Sequence, residues 1–175
     1  RMEKAYNQER SEWQSLFSKE DKGMEEDKPC WIAPDLSEEQ WQDMCLPDYW
    51  EKNGLKNFDG VVWFRRSLEI PAEWIGKPLK LNLGMIDDED ITYFNGVEIA
   101  RGAGYMTPRT YTIPAKLVKA GKAVLAVRVS DFGGEGGIHG KAEDLYVEAD
   151  GKRISLAGDW KYRIGLSLTG FPPAP

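Results

Sequence analysis

"GVVWFRRSLEI", Gly60 to Ile70, decides the fold class. Successive side chains of an extended chain point to opposite faces. Here Val62, Phe64 and Arg66 fall on one face, and Trp63, Arg65 and Ser67 on the other. The apolar neighbours of Trp63 place its ring in a core. Outward from this stretch the alternation recurs. "PLKLNLGMI" sets Leu79, Leu81 and Leu83 against Lys80, Asn82 and Gly84. "ITYFNGVEIA" contains Asn95-Gly96, a pair suited to a type I′ hairpin because both turn residues need positive φ. "RTYTIPAKLV" and "KAVLAVRVSD" follow, split by a turn at Ala120-Gly121. "DLYVEA", "KRISLAG" and "WKYRIGLSL" close the series, with Asp150-Gly151 as a second hairpin turn. About eight short strands at this spacing predict an all-β, antiparallel jelly-roll sandwich.

The amino-terminal part has a different character. Residues 1–28 are rich in Glu, Lys, Gln and Asp, and Tyr6, Trp13, Leu16 and Phe17 fall on one side of a helix. The expectation is a short helix that docks through those rings, followed by a solvated charged linker, "SKEDKGMEEDK". In "SEEQWQDMCLP", Ser37 and Gln40 have capping-box spacing, which predicts one helical turn carrying Trp41. The chain therefore divides into a helical, charged lead-in over 1–28, a sandwich over 29–166, and a proline-rich exit linker over 167–175.

Composition excludes several classes. The 175 residues include 23 Lys and Arg against 29 Asp and Glu, a net charge of −6, so no basic groove for nucleic acid is expected. No apolar run approaches the roughly 20 residues that span a bilayer, and no signal-peptide pattern is present. Cys30 and Cys45 lack metal-ligand spacing, and the one histidine cannot complete a His/Cys set. They are either a disulfide or two free thiols. The 7 Trp, 7 Tyr and 6 Phe suit aromatic plugs in a sandwich core and are also common in sugar-handling proteins.

Three stretches carry candidate chemistry. "VRVSDFGGEGGIHG" runs from a strand through Asp131 into glycines flanking His139. It lacks the Gly-Lys-Ser/Thr ending of a phosphate loop and opens no helix. His139 is either a general base or a loop histidine against a neighbour or solvent. "DDED", Asp87 to Asp90, offers hard oxygen ligands to calcium through Asp87, Asp88 and Asp90. Alternating strand faces keep all four from converging, and the rival is pairing of Asp88 or Asp90 with Arg65, Arg66 or Arg109. Arg109, beside Tyr111 in "PRTYTIP", suits either a bidentate grip on a sugar carboxylate or an internal ion pair with Asp88 or Asp131. Trp50 and Trp63 are the candidate sugar-stacking rings. No cofactor other than calcium is expected.

The ordered set "LPDYWE", "FDGVVWFRRSLEIPAEW", "LGMIDDEDITYFNG", "GYMTPRTYTIPAKLVKAG", "AVRVSDFGGEGGI" and "LAGDWKYRIG" resembles the β-sandwich inserted within bacterial sialate O-acetylesterases. It resembles more distantly the sugar-binding jelly roll of family 2 glycoside hydrolases. The match runs from about Trp31 to Gly165. The resemblance implies a galactose-binding-like sandwich that interrupts an SGNH hydrolase of the same polypeptide, in the periplasm or outside the cell. Residues 1–28 would then leave the hydrolase and "GFPPAP" would re-enter it. It further implies that Asp131 to His139, with Gly134 and Gly137, faces the hydrolase cleft, and that Arg109, Tyr111, Asp131, Gly134, Gly137, His139 and Trp50 are the residues to test for contact with cleft or sialylated glycan. The esterase's own nucleophile context is missing: Gly158-Asp159 is followed by Trp160, and Gly136 stands three residues before His139. No Gly-x-Ser-x-Gly elbow occurs. The expected role is a non-catalytic domain of a carbohydrate esterase. The alternatives are an independent carbohydrate-binding module and the sugar-binding domain of a family 2 glycoside hydrolase.

Overall fold

The computed structural model describes residues 1–170. One helix, α1 (Met2–Glu20), precedes thirteen strands. These are β1 (Met24–Glu25), β2 (Lys28–Pro29), β3 (Gln42–Leu46), β4 (Gly60–Ile70), β5 (Leu79–Asp87), β6 (Glu89–Phe94), β7 (Val97–Ala103), β8 (Pro108–Ile113), β9 (Gly121–Asp131), β10 (Gly137–His139), β11 (Leu145–Ala149), β12 (Lys152–Ser155) and β13 (Gly158–Ser167). The proline-rich exit expected over 167–175 lies outside the described residues from 171 onward.

Two antiparallel sheets form the sandwich. The larger has the order β3-β13-β4-β9-β6-β7. In the smaller, β5 is central, with β8 along one edge and β10 and β11 sharing the other, and β12 outside β11. The chain is therefore an all-β sandwich with an amino-terminal helix. The two hairpin turns form as the sequence predicts, with φ of 47° and 79° at Asn95-Gly96 and 50° and 72° at Asp150-Gly151.

Strand β4 shows why the sandwich has two cores. Val62 and Phe64 point between the sheets, where they meet Leu81, Leu83, Phe94, Leu125, Val127, Val147 and Trp160. The opposite face of β4 is also covered. Trp63 packs there with Val61, Trp31, Trp41, Tyr93 and Phe17 of α1. Of the four apolar residues expected to dock the helix, Phe17 is buried and Trp13 partly so, while Tyr6 and Leu16 stay exposed.

The segment after α1 is solvated from Glu25 to Lys28, as its charge suggests, but its start is anchored. Asp21 is buried, its carboxylate accepting from Trp63 Nε1 at 3.0 Å and Arg128 Nε at 2.7 Å. Burying a carboxylate is costly unless it is paired and hydrogen-bonded, and these two partners supply that. Lys22 N then donates to Gly165 O at 2.8 Å, so the segment lies beside β13. The helical turn expected at Trp41 does not form. Residues 42–46 pair with β13 as strand β3, and Trp41 tucks edge-on against Trp31. Burying that ring under the sheet outweighs a capping-box pattern with no helix to cap.

Candidate functional site

The residues singled out in the sequence do meet, at one end of the sandwich. There β5 leaves the smaller sheet, β6 enters the larger one, and β9 ends at Asp131. Asp88 ties the corner together. Its N–H donates to Ser130 O at 2.9 Å, its carbonyl accepts from Gly104 N at 3.0 Å, and its Oδ2 accepts from Phe132 N at 3.0 Å.

Arg109 and Tyr111 converge on Asp90. Arg109 Nε donates to Asp90 Oδ1 at 2.7 Å, and Tyr111 Oη lies 2.9 Å from both carboxylate oxygens. Thr92 Oγ1 adds a bond at 2.7 Å. Burial pushes the Asp90 carboxyl up, opposed by the bonds from Arg109, Thr92 and Tyr111. Burial, then the Asp90 charge, pushes the Tyr111 phenol up as well. The remaining Arg109 donors go to the carbonyls of Gly104, Thr107, Ile86 and Asp88. All five N–H bonds of the guanidinium are thus committed inside the chain. Arg109 has no donor left for a sugar carboxylate, and of the two roles open to it the internal ion pair is the one that forms. Its partner is Asp90, one of the two acids expected to pair.

Trp50 and Trp63 are both fully buried, which removes them as sugar platforms. Trp50 donates its indole N–H to Phe58 O at 3.1 Å and packs edge-on against the Phe58 ring. The Pro-Asp turn before it is real, but it turns the ring inward. His139 is also buried, stacked on Tyr49 at 4.5 Å, with Nε2 3.0 Å from Tyr105 O. Burial lowers its pKa. Among the described residues no hydrogen bond joins it to a serine or cysteine. Cys30 is half-buried and Cys45 exposed, and both are free thiols.

The glycine-rich loop is ordered by contacts on both sides. Gly136 N is 3.1 Å from both Glu51 carboxylate oxygens, and Gly136 O accepts from Trp50 N at 2.9 Å. A β-carbon on Gly136 would run into the Trp50 indole and the Asp131 carboxylate. Gly137, at φ 122°, opens β10 against β5. Residues 132–135, including Gly134, form the exposed tip. Phe132 there is 41% exposed and touches the rings of Trp13 and Phe17. Tyr105 and Met106, 59% and 60% exposed, form the neighbouring loop. This apolar rim had no pattern to give it away in the sequence. A groove of about 510 Å³ runs from Phe132 between α1 and the β6–β7 edge, past Arg101 and Arg128.

Asp87, Asp88 and Asp131 make a second cluster, each presenting one carboxylate oxygen within 4.8 Å of the others. The acids of "DDED" do not alternate as a continuous strand would, because β5 ends at Asp87 and β6 begins at Glu89. The Asp87-Asp88 peptide is cis. Burial first, then Asp88, pushes Asp87 up to about 7. Burial first, then Asp88 and Asp59, pushes Asp131 up to about 9, against a lowering bond from Gly133 N. Asp90, the third calcium candidate, is taken by Arg109 and lies outside this set.

No protein family's sequence profile matches the chain, and no curated protein matches it. Solved structures do. A β-glucuronidase of Bacteroides uniformis superposes with a TM-score of 0.54 at 21% identity, over 75% of this chain and 15% of that one. B. uniformis β-glucuronidase 2, covalently bound to cyclophellitol-6-carboxylate aziridine, gives 0.54 at 22%, over 77% and 16%. A glycosyl hydrolase family 2 member from Bacteroides cellulosilyticus gives 0.54 at 22%, over 61% and 17%. At this identity the shared property is the fold. The chain spans about a sixth of the length of these proteins. An esterase parent gains no support from these neighbours.

Proposed function

We propose that this chain is an accessory sandwich of a carbohydrate-active hydrolase, of the kind carried by family 2 glycoside hydrolases. The observation that carries the reading is the fold likeness to a small part of much longer glycosidases. The site geometry agrees with it. His139 and Arg109 are tied up within the fold, and the large apolar groups exposed at that end are Tyr105, Met106 and Phe132. Such a rim suits contact with an adjoining domain or a glycan, outside the cytoplasm, and leaves bond cleavage to another part of the polypeptide.

The second reading, a sandwich inserted in a sialate O-acetylesterase, rests on the ordered motifs of the sequence and on one structural observation. The bond from Lys22 N to Gly165 O brings the start and end of the sandwich side by side, the arrangement in which one domain can interrupt another.

The test is activity of the full gene product against p-nitrophenyl β-glucuronide and against 9-O-acetylated sialic acid. Glycosidase activity supports the first reading and deacetylation the second. In the active protein, replacing Tyr105, Met106 and Phe132 together by Ser should raise KM roughly tenfold and leave kcat within about twofold. Hydrolysis of either compound by residues 1–175 alone would overturn both readings.

A further inference from the structure

We propose that Asp87, Asp88 and Asp131 form a binding site for one hard divalent cation, calcium by its chemistry, at the corner where β5, β6 and β9 meet. The site stands independently of the functional reading above. Three carboxylates approach within 4.8 Å of one another, and none of the ion pairs among the described residues includes them. Acid clusters on a surface are common, and proximity alone would carry nothing.

The second observation is the state of Asp131. Its side chain is fully buried, yet Oδ2 has no hydrogen-bond partner. A buried polar atom without a partner is rare and calls for a specific explanation. The surrounding backbone makes the pattern directional. Gly133 N donates to Asp131 Oδ1 at 3.2 Å, and Phe132 N donates to Asp88 Oδ2 at 3.0 Å. Each bond holds one oxygen of its carboxylate; Asp131 Oδ2 is left without an N–H donor, and the Asp88 carboxyl lies between those of Asp87 and Asp131. One cation coordinated by all three carboxylates at once would satisfy these oxygens together.

The donor set fixes the class of that atom. It is all oxygen, since His139 is engaged with Tyr105 O and both thiols are elsewhere. Hard cations prefer such a set over thiolate or imidazole. Calcium accepts irregular geometry, and Asp87 and Asp88 are only half-buried, so water can complete the shell. Magnesium demands near-octahedral geometry, which three carboxylates from two strand ends and a bend do not supply. A cation here would tie the end of β9 to the β5–β6 corner and hold the base of the Phe132 tip.

The test uses the whole 175-residue chain, stripped with chelator and titrated at neutral pH with terbium(III) and then calcium. Trp50 lies against Gly136, as does Asp131 Oδ2, so its indole is placed to sensitise bound terbium. One saturable terbium site is expected, with calcium displacing the emission. Calcium at about a hundredfold excess over its dissociation constant should raise Tm by roughly 5–10 °C. D131N and D87N should each lose the emission and the calcium-dependent rise. D131N should keep roughly the parent's Tm in chelator, because the amide has the carboxyl's shape and its oxygen can still accept from Gly133 N. Absence of saturable terbium emission and of any calcium effect would overturn the site and leave the three carboxyls sharing protons. An undiminished calcium response in D131N and D87N would also overturn it.

Discussion

The two cores of this sandwich are built from different forces. Between the sheets, Leu81, Leu83, Phe94, Val127, Val147 and Trp160 interlock as an apolar block, and charge enters at one end, where Arg109 of β8 pairs with Asp90 of β6. On the outer face of β4, rings alternate with arginines. Arg128 lies over Phe17 and Trp63 and pairs with Asp21, while Arg65 lies over Trp41 and reaches Glu38, Trp31 O and Ala33 O. Away from that end the inner core is held by matched apolar faces of the two sheets. The outer cover is a helix and irregular chain whose rings, Phe17, Trp31 and Trp41, are interleaved with charge pairs that fix where it sits. Directional bonds of this kind fix geometry more than they add stability.

The largest test of that contrast is Trp160→Ala, which should lower stability by about 4 kcal/mol in urea unfolding, the usual loss for a buried ring. Next is Asp21→Ala. It strands the Arg128 guanidinium and should cost about 3 kcal/mol, whereas D21N combined with R128M should lose less than the two single variants summed. A core of the inner kind would show plain additivity in a comparable pair of distant sites.

pH separates the regions further. With chelator present, Asp131, buried beside Asp88 and Asp59, holds a proton in the folded chain up to about pH 9 that the unfolded chain releases near the ordinary carboxylate range. The folded state binds the extra proton, so this contribution is fully present below the ordinary pKa and fades as pH rises through about 9. The urea midpoint should therefore decline gently from mildly acidic to alkaline pH, and D131N should flatten the decline. The smallest effect is Phe17→Ala, about 1–2 kcal/mol, because the helix can settle onto the vacated site. Hydrogen exchange should show α1 opening well before β9, which the inner core anchors. Equal protection of the two would erase the distinction.

The inner core was legible in the sequence because strand alternation is local: Val62, Phe64, Leu79, Leu81 and Leu83 are all where period two puts them. The two glycine turns were legible for the same reason. The outer core was not, since nothing around Asp21 announces that Arg128, 107 positions later, will meet it. Trp50 misled because its polar neighbourhood is a turn that folds the ring inward. At the candidate site the sequence named the right residues and, among its alternatives, the Asp90–Arg109 pair, but not the set that Asp87 and Asp88 join. Asp90 went to Arg109, and its place beside Asp87 and Asp88 fell to Asp131, which only the crossing from β5 to β6 brings near.

The double coverage of β4 also bears on how this chain can diverge. From Gly60 to Arg65 every residue is buried, so a replacement there must be answered by a neighbour in the opposite sheet or in the amino-terminal cover. Strands β7 and β12, half-open to water, carry no such obligation. Among relatives of this domain, substitutions at Trp63 should travel with changes at Phe17, Trp31 or Tyr93, and β7 should vary freely except at Gly102, where a β-carbon would meet Tyr111 and Arg109.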